Sequence, residues 1–211
     1  EAGIGRAAVA VLEALGFEVR LVEGRVCCGR PAASRGLLDR VRAAAEHNLA
    51  LLRDRAEPIV FLEPSCWSMF RDEYRQLELP GADAVAERAL LFEDFVGAVL
   101  AAEPEALALA PAATRVAIHG HCHVEALAGT EAARRLLERL PGAEVEVLGE
   151  ACCGMAGVFG MLKSKDELSR AVGAPLAAAV AALPAEAALV AAGTSCRHQV
   201  EHLTGRRALH P

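Results

Sequence analysis

Two patterns of apolar and polar residues alternate along the chain. Apolar residues recur at helical spacing in GRAAVAVLEALG, and they do so again in GTEAARRLLERL in the second half. After a turn at Gly16 or Gly142, each segment continues into a short alternating run, EVRL or EVEV, which is typical of a β-strand. The patterns therefore predict a helix and then a strand in both halves.

The correspondence between the halves extends further along the chain. In both halves the predicted strand is followed by Cys-Cys-Gly, at residues 27–29 and 152–154, and then by a long amphipathic segment. An apolar run, IVFL or ALVA, then leads to Ser-Cys, which ends at Cys66 or Cys196. Equivalent cysteines lie between 125 and 130 positions apart, so we interpret the two halves as copies of one unit.

Helices that alternate with strands predict an α/β fold around parallel sheets. We predict two repeated Rossmann-like α/β units related by pseudo-twofold symmetry, with cysteines at the C-terminal ends of the strands. Residues 1–111 are assigned to the first copy, which includes a helical linker from Leu77 to Pro111, and residues 112–211 to the second. The strand TRVAIH opens the second copy, and its counterpart would precede Glu1, so we expect the first copy to be truncated at its N-terminus.

Composition and charge narrow the classes of function. The 211 residues are 54% hydrophobic and 24% charged, which is typical of a folded domain with a buried core. The net charge of −6 and the lack of a basic stripe exclude nucleic acid as a main partner. The sequence shows no secretory signal and no transmembrane segment, because its most apolar stretch is interrupted by Pro184 and Glu186. We therefore expect a cytoplasmic protein with reduced thiols.

Seven cysteines are the main candidates for chemistry. A lone cysteine is usually a packing residue, but these seven recur at predicted strand ends in repeated positions. Disulfides within the Cys27–Cys28 and Cys152–Cys153 pairs would be strained, because consecutive Cα atoms lie about 3.8 Å apart and a disulfide needs about 4.4–6.8 Å. Neighbouring thiolates in a turn can instead face one metal centre, and the glycine after each pair lets the backbone approach it.

Four cysteines suit either a tetrahedral zinc ion or an iron–sulfur cluster. The sequence has no Cys-x-x-Cys spacing of the kind found in zinc knuckles, so widely spaced ligands from three loops favour a cluster. The second copy supplies four candidate metal ligands by itself: Cys122, Cys152, Cys153 and Cys196. The first copy supplies three: Cys27, Cys28 and Cys66.

Three histidines, His119, His121 and His123, surround Cys122 in HGHCH. Two roles are open for them. Either one or two of them ligate zinc, or they cap the strand end and donate hydrogen bonds to sulfur.

Cofactor-binding residues other than cysteine are also predicted. Arg197 and His198 follow Cys196, where their charge would stabilise a negatively charged cluster and raise its potential, although each is otherwise an ordinary surface residue. Gly154 would let the backbone approach the cluster. No catalytic residue is predicted, because the sequence contains no convincing Ser-His-Asp set and no paired-carboxylate signature.

The motifs VCCGRP, LEPSC, HCH, CCGMAGVFG and TSCRHQ, in this order, resemble those of the cysteine-rich Cys-Cys-Gly domain family. That family includes the heterodisulfide reductase B subunit and the glycolate oxidase iron–sulfur subunit types. The resemblance covers essentially the whole chain. It is greatest to the C-terminal part of FAD-linked oxidases, the D-lactate dehydrogenase-like iron–sulfur proteins.

The family pattern is one Cys, then Cys-Cys, then Cys-x-x-Cys. Gln199 stands at the last position in the second copy, and Met69 does so in the first. The resemblance therefore implies a four-thiolate centre of the 4Fe-4S type in the second copy. For the first copy it leaves three alternatives: a degenerate site, a zinc site, or part of a composite centre between the halves.

The resemblance also implies a function. The chain would be the iron–sulfur electron-transfer module of an FAD-linked 2-hydroxy-acid dehydrogenase of the D-lactate or glycolate type, with FAD in a partner domain or subunit outside this chain. Electrons would pass to an acceptor such as quinone or a redox protein, and the fragment would not be catalytic alone. Peripheral attachment to the inner face of a membrane is then an alternative to a free cytoplasmic location. Two other functions stay open: a structural zinc or metal-free docking domain, and thiol–disulfide chemistry like that of heterodisulfide reductase.

Overall fold

A computed structural model of the chain describes residues 1–111, 115–149 and 152–211. The chain divides into two compact units, Glu1–Phe95 and Val96–Pro211. The repeat boundary between residues 111 and 112 stays a prediction, since residue 112 lies outside the described residues.

Unit 1, Glu1–Phe95, combines helices with one small sheet. In chain order its elements are α1 (Ala2–Ala14), α2 (Arg30–Ala33), α3 (Leu38–Leu52), β1 (Ile59–Phe61), α4 (Pro64–Ser68), α5 (Tyr74–Gln76), α6 (Ala82–Arg88), β2 (Ala89–Leu91) and the start of α7 (Phe92–Ala102). A π-helical turn at Met69–Glu73 joins α4 to α5. Strands β1 and β2 run parallel, with Ile59 opposite Ala89.

Unit 2, Val96–Pro211, is built around a three-stranded parallel sheet. After the end of α7 its elements are β3 (Arg115–His119), α8 (Cys122–Leu127), α9 (Glu131–Leu137), β4 (Glu144–Val147), α10 (Asp166–Ala182), β5 (Ala188–Ala191) and α11 (Thr194–Thr204). The strand order is β4-β3-β5, so β3 is the central strand.

The two units confirm the predicted α/β class, with short parallel sheets. The Rossmann-like repeat and its pseudo-twofold symmetry stay predictions. In the described part of the chain, no helix is both long enough and apolar enough to cross a membrane.

Side chains of β3 alternate between the two faces of the sheet in unit 2. Val116 and Ile118 pack in one cluster with residues of α9, whereas Ala117 packs in another with residues of α10 and α11. Helices thus cover both faces, as is usual for a parallel sheet. The same alternation directs His119 to the side of Ala117.

The structure corrects two predicted elements of unit 1. No strand forms at Glu18–Leu21, although EVRL matches the EVEV of β4. Strand β4 pairs with β3, whereas no strand in the described part of unit 1 takes the corresponding place, so EVRL is left without a strand to pair with. Conversely, Ala89–Leu91 forms β2 within the segment predicted to be helical. Pairing with β1 and the burial of Ala89 and Leu91 override the local helix preference there.

A cavity of about 1090 Å³ lies in unit 1 beside the segment EVRL. It is lined by residues of segment 18–28 and by residues 58–63, which include β1.

The Cys-Cys-Gly loop of unit 2 closes tightly against helix α10. Gly154 has a φ of +84°, and a Cβ at this position would lie 2.0 Å from the backbone oxygen of Ser169. The Ser169 hydroxyl also donates a hydrogen bond of 2.9 Å to the Gly154 carbonyl oxygen. Glycine is therefore required here both by the left-handed conformation and by the close approach of α10.

We expect Gly154→Ala to destabilise unit 2 more than Gly142→Ala does. Both glycines have positive φ, but a Cβ on Gly142 (φ +79°) would meet nothing within 4 Å. The left-handed conformation alone costs alanine about 1–2 kcal/mol, and crowding at Gly154 adds about 1–3 kcal/mol. Urea unfolding of the two variants measures the difference. Equal losses of stability would show that the contact with Ser169 does not constrain the loop.

Candidate metal centre

All seven cysteines lie within the described residues, and none of them forms a disulfide. In unit 2, Cys122 is the first residue of α8 and follows β3, and Cys196 lies in the first turn of α11 and follows β5. Cys152 and Cys153 follow β4. Because the C-terminal ends of parallel strands meet at one edge of a sheet, the fold brings these four cysteines to the same edge.

A buried pair of sulfur atoms lies at the centre of this edge. The Sγ atoms of Cys153 and Cys196 are 3.6 Å apart, and the Cys196 thiol donates a hydrogen bond to the Cys153 sulfur. His119, the last residue of β3, joins them, and one ligand atom from each of the three residues lies within 4.8 Å of the others. All three residues are buried. The site therefore offers two sulfurs and one imidazole nitrogen to a metal.

The buried pair favours an ionised sulfur. The hydrogen bond from Cys196 lowers the pKa of Cys153 to about 5, which more than offsets the effect of burial. A hydrogen bond from His119 lowers the same pKa further. These hydrogen bonds favour the thiolate form of Cys153, which is the form of cysteine that binds metals.

The other two cysteines of unit 2 are more exposed to solvent. The Sγ of Cys152 accepts a hydrogen bond of 3.3 Å from the Gly154 backbone N–H. Partial burial raises the pKa of Cys122, and the negative charges of Cys152 and Cys153 raise it further. The sulfur of Cys122 therefore lies within electrostatic reach of both.

Gly193 shapes the site, although no sequence pattern singles it out. It precedes α11, and a Cβ there would lie 2.3 Å from Cδ2 of His121 and 3.3 Å from Sγ of Cys196. His121 in turn caps α8, because its Nδ1 accepts a hydrogen bond of 3.2 Å from the His123 backbone N–H. The glycine before Thr-Ser-Cys is the only trace of this close approach in the sequence.

The residues at the last position of the family pattern support the Cys-Cys-Gly loops. Gln199 donates a hydrogen bond of 3.0 Å to the hydroxyl of Ser169, which itself bonds to Gly154. In unit 1 Met69 is fully buried, and its Cε would lie 3.8 Å from a Cβ on Gly29. Gln199 is therefore linked by hydrogen bonds to the Cys-Cys-Gly loop of unit 2, and Met69 lies close to Gly29 of the loop in unit 1.

Arg197 and His198 are neighbours on α11 but differ in burial. Arg197 is buried, and its guanidinium donates hydrogen bonds to the carbonyl oxygens of Ala191 and Ala192. These bonds hold the end of β5 against the start of the helix. His198 is exposed. Contact of either residue with a cofactor stays a prediction, as it does for Gly154.

Unit 1 also pairs the second cysteine of Cys-Cys-Gly with the cysteine of Ser-Cys. A hydrogen bond from Cys66 lowers the pKa of Cys28 to about 7, and the pKa of Cys66 is raised by this bond and by burial. Cys28 is buried and Cys27 exposed, which repeats the arrangement in unit 2. The Tyr74 hydroxyl donates a hydrogen bond of 2.8 Å to the Cys28 carbonyl oxygen. All three predicted ligands of the first copy line the cavity of unit 1.

These features define a cysteine-rich α/β protein in which each unit joins a Cys-Cys-Gly loop to a cysteine at a helix start. The profile of the cysteine-rich domain family (CCG) matches residues 2–71 and 116–201, and each matched range contains one Cys-Cys-Gly sequence. The chain belongs to this cysteine-rich domain family, as its motifs predict.

Similar proteins come from several bacteria. The C subunit of anaerobic glycerol-3-phosphate dehydrogenase from Escherichia coli K12 is 30% identical over 212 residues, which cover 99% of this chain and 53% of that protein. Lactate utilization protein A from Bacillus velezensis is 34% identical over 168 residues, which cover 75% of this chain and 68% of that protein. The chain thus spans about half the length of the E. coli relative.

We expect Cys196→Ala to raise the pKa of Cys153 in the metal-free protein. The variant removes the thiol that donates to the Cys153 sulfur, whereas Cys196→Ser keeps a donor in the same place. A hydrogen bond to a charged group corresponds to a shift of about 1–2 pH units. The ultraviolet absorbance of thiolate, followed against pH with Cys153→Ser as the reference, gives the midpoint. An unchanged midpoint in Cys196→Ala would show that this hydrogen bond does not set the pKa.

Proposed function

We propose that this chain is the iron–sulfur electron-transfer module of a dehydrogenase. The observation that carries the proposal is the meeting of cysteines from three strand ends of unit 2 around a buried pair of sulfur atoms. In this proposal the four cysteines of unit 2 hold the cluster. The three cysteines of unit 1 are candidates for a second metal site.

The donor set of unit 2 fits such a group. Hydrogen bonds lower the pKa of Cys153, and thiolates are the usual ligands of iron–sulfur clusters. Cys153 and Cys196 are buried, which shields the sulfur ligands from solvent. Four thiolates favour a cluster of the 4Fe-4S type, and zinc is the alternative metal. A bound cluster would supply one-electron redox chemistry.

The relatives support a place in a dehydrogenase complex. One carries the name of a subunit of glycerol-3-phosphate dehydrogenase, and another is named for lactate utilization. In line with the resemblance of the motifs, a flavin-containing domain or subunit would oxidise a 2-hydroxy acid of the D-lactate or glycolate type and pass electrons to this chain. The acceptor would be quinone or a redox protein. A place in the cytoplasm or at the inner face of a membrane suits this role.

A second candidate function is thiol–disulfide exchange. The observation that favours it is again the pair Cys153 and Cys196, whose sulfurs are 3.6 Å apart and whose hydrogen bond lowers the pKa of Cys153. A thiolate beside a second thiol is the arrangement of a dithiol redox pair. Burial of both cysteines restricts the access of a disulfide substrate, so this candidate ranks second.

Anaerobic reconstitution with iron and sulfide tests the electron-transfer proposal. We expect the protein to bind iron and acid-labile sulfide and to give an EPR signal in one of its redox states. Cys153→Ser removes the buried thiolate and should abolish most of the iron binding of unit 2. Cys28→Ser is the equivalent change in unit 1. It is the matched control and should leave the signal from unit 2 in place.

Other outcomes separate the competing functions. A protein that stays free of iron and EPR-silent, with its thiols intact, would rule out the cluster. Stoichiometric zinc in a colourless protein would favour a structural or docking domain. A reversible disulfide between Cys153 and Cys196, with activity on a disulfide substrate, would favour thiol–disulfide exchange.

A further inference from the structure

Strand β1 of unit 1 has an open edge. On one side it pairs with β2, from Ile59 opposite Ala89 to Phe61 opposite Leu91. In the described part of unit 1 no third strand joins these two, so the backbone N–H and C=O groups on the other edge of β1 have no strand partner. An edge of this kind is a template for pairing with another extended chain.

The cavity of unit 1 runs along this open edge. Every residue from 58 to 63 lines it, although successive side chains of a strand point to opposite faces of a sheet. A cavity that touches all of them therefore meets the strand at its edge and not on one face. Residues 89–91 of β2, all of them described, do not line the cavity, so it lies along the edge of β1 that faces away from β2. Residues 58–63 span about 20 Å when extended, which is room for a strand of about six residues.

The apolar side chains beside the cavity are incompletely buried. Ile59, Val60 and Phe61 are each only partly buried, and Leu21 in the segment EVRL is 72% exposed. Strand β5 of unit 2 also precedes Ser-Cys, but it pairs with β3, and its residues 189–191 are at most 3% exposed. Apolar residues that stay partly in water beside an open strand edge mark a site of association.

Asn48 fixes the wall of the cavity opposite β1. This buried side chain of α3 accepts a hydrogen bond of 3.0 Å from the Val26 N–H and donates one of 3.4 Å to the Val26 carbonyl oxygen. It thus bonds to both backbone groups of Val26, as a neighbouring strand does. Leu52 of α3 and Phe70 add apolar surface to the cavity. Both walls are therefore in place before anything binds between them.

Unit 2 contains a strand between the segments that carry the same motifs. Strand β4 precedes Cys-Cys-Gly and β5 precedes Ser-Cys, and β3 lies between them and pairs with both. Val116, Ala117 and Ile118 of β3 are buried, so this strand is apolar on both faces. In unit 1 the segments before the same two motifs are EVRL and β1, and both line the cavity.

We propose that the cavity of unit 1 binds an extended apolar strand from a polypeptide segment outside residues 1–211, and that this strand pairs with β1 in parallel. The E. coli relative contains polypeptide that would supply such a strand, because the matched part is 53% of its length. Cys27, Cys28 and Cys66 line the same cavity, so the bound strand would cover the cysteines of unit 1 on that side. Strand pairing needs no metal and does not depend on the iron–sulfur function proposed above.

A peptide with the sequence of β3 and the glycine that follows it, RVAIHG, is the probe for this cavity. It is joined to Glu1 of the full chain through a flexible Gly-Ser linker, which gives an effective concentration in the millimolar range. Because paired amides are protected, we expect hydrogen–deuterium exchange of the β1 amides to slow by about tenfold or more in the metal-free, reduced protein.

The matched control is the same linker with the peptide RVPIHG. Its proline lacks one N–H group and does not fit within a sheet, so exchange of the β1 amides should stay as in the parent protein. Equal protection by the two peptides, or no protection by RVAIHG, would overturn the proposal.

A substitution on the opposite wall tests whether EVRL takes part. Leu21→Asp places a charge in the cavity and should remove most of the protection that RVAIHG gives to β1. Leu38→Asp is the control, because Leu38 is an exposed leucine of unit 1 that does not line the cavity. Equal effects of the two substitutions would show that the strand does not lie between EVRL and β1.

Sedimentation of the parent protein without a peptide tests the competing occupant, a second copy of this chain. We expect a monomer whose β1 amides exchange freely, and a dimer with protected β1 amides would overturn the proposal. These experiments contain neither iron nor sulfide, so a failure of iron reconstitution would count against the electron-transfer proposal only.

Discussion

The candidate site depends on the pairing of three short parallel strands in unit 2. Strand β3 lies between β4 and β5, and its hydrogen bonds to both determine where the three strands end. Each end leads within a few residues to a cysteine, so the register that places Val116 opposite Val145 and Ala188 also decides which side chains meet. A slip of β3 by one residue would turn His119 to the opposite face of the sheet, away from the sulfurs.

The burial of the side chains at these strand ends then determines their charge and their protonation. Sulfur and imidazole groups that lose contact with water need partners for their charges and protons. Without a metal, the Cys196 thiol donates a hydrogen bond to the Cys153 sulfur. In unit 1 the Cys66 thiol donates a hydrogen bond to Cys28 in the same way. A metal cation would replace the shared proton and allow both sulfurs to ionise. That the same pairing occurs in both units is the physical counterpart of the repeated Cys-Cys-Gly and Ser-Cys motifs.

Local pattern predicts the parts of this structure that depend on neighbours in sequence. The alternation in EVEV and RVAIH predicts β4 and β3, and the apolar run before Ser-Cys predicts β5 with a cysteine beyond its end. The same reasoning fails for EVRL, because a segment forms a strand only where another strand lies beside it, and the four residues of the segment do not show whether one does. Local pattern does not reveal contacts between segments that are distant in sequence. One is the close approach of His121 to Gly193, and another is the chain of hydrogen bonds from Gln199 through Ser169 to the Cys-Cys-Gly loop of unit 2. Alternation places His119 on the correct face, but only the folded sheet brings it to the buried sulfurs.

We propose that the cysteines of unit 2 hold a metal–sulfur centre. X-ray absorption at the iron edge of the reconstituted protein tests it most directly, because the spectrum identifies the atoms bound to iron. We expect a first shell of sulfur with iron neighbours beyond it, and the loss of this pattern in Cys153→Ser. A first shell of oxygen and nitrogen without iron neighbours, the same in the parent protein and in Cys153→Ser, would contradict it.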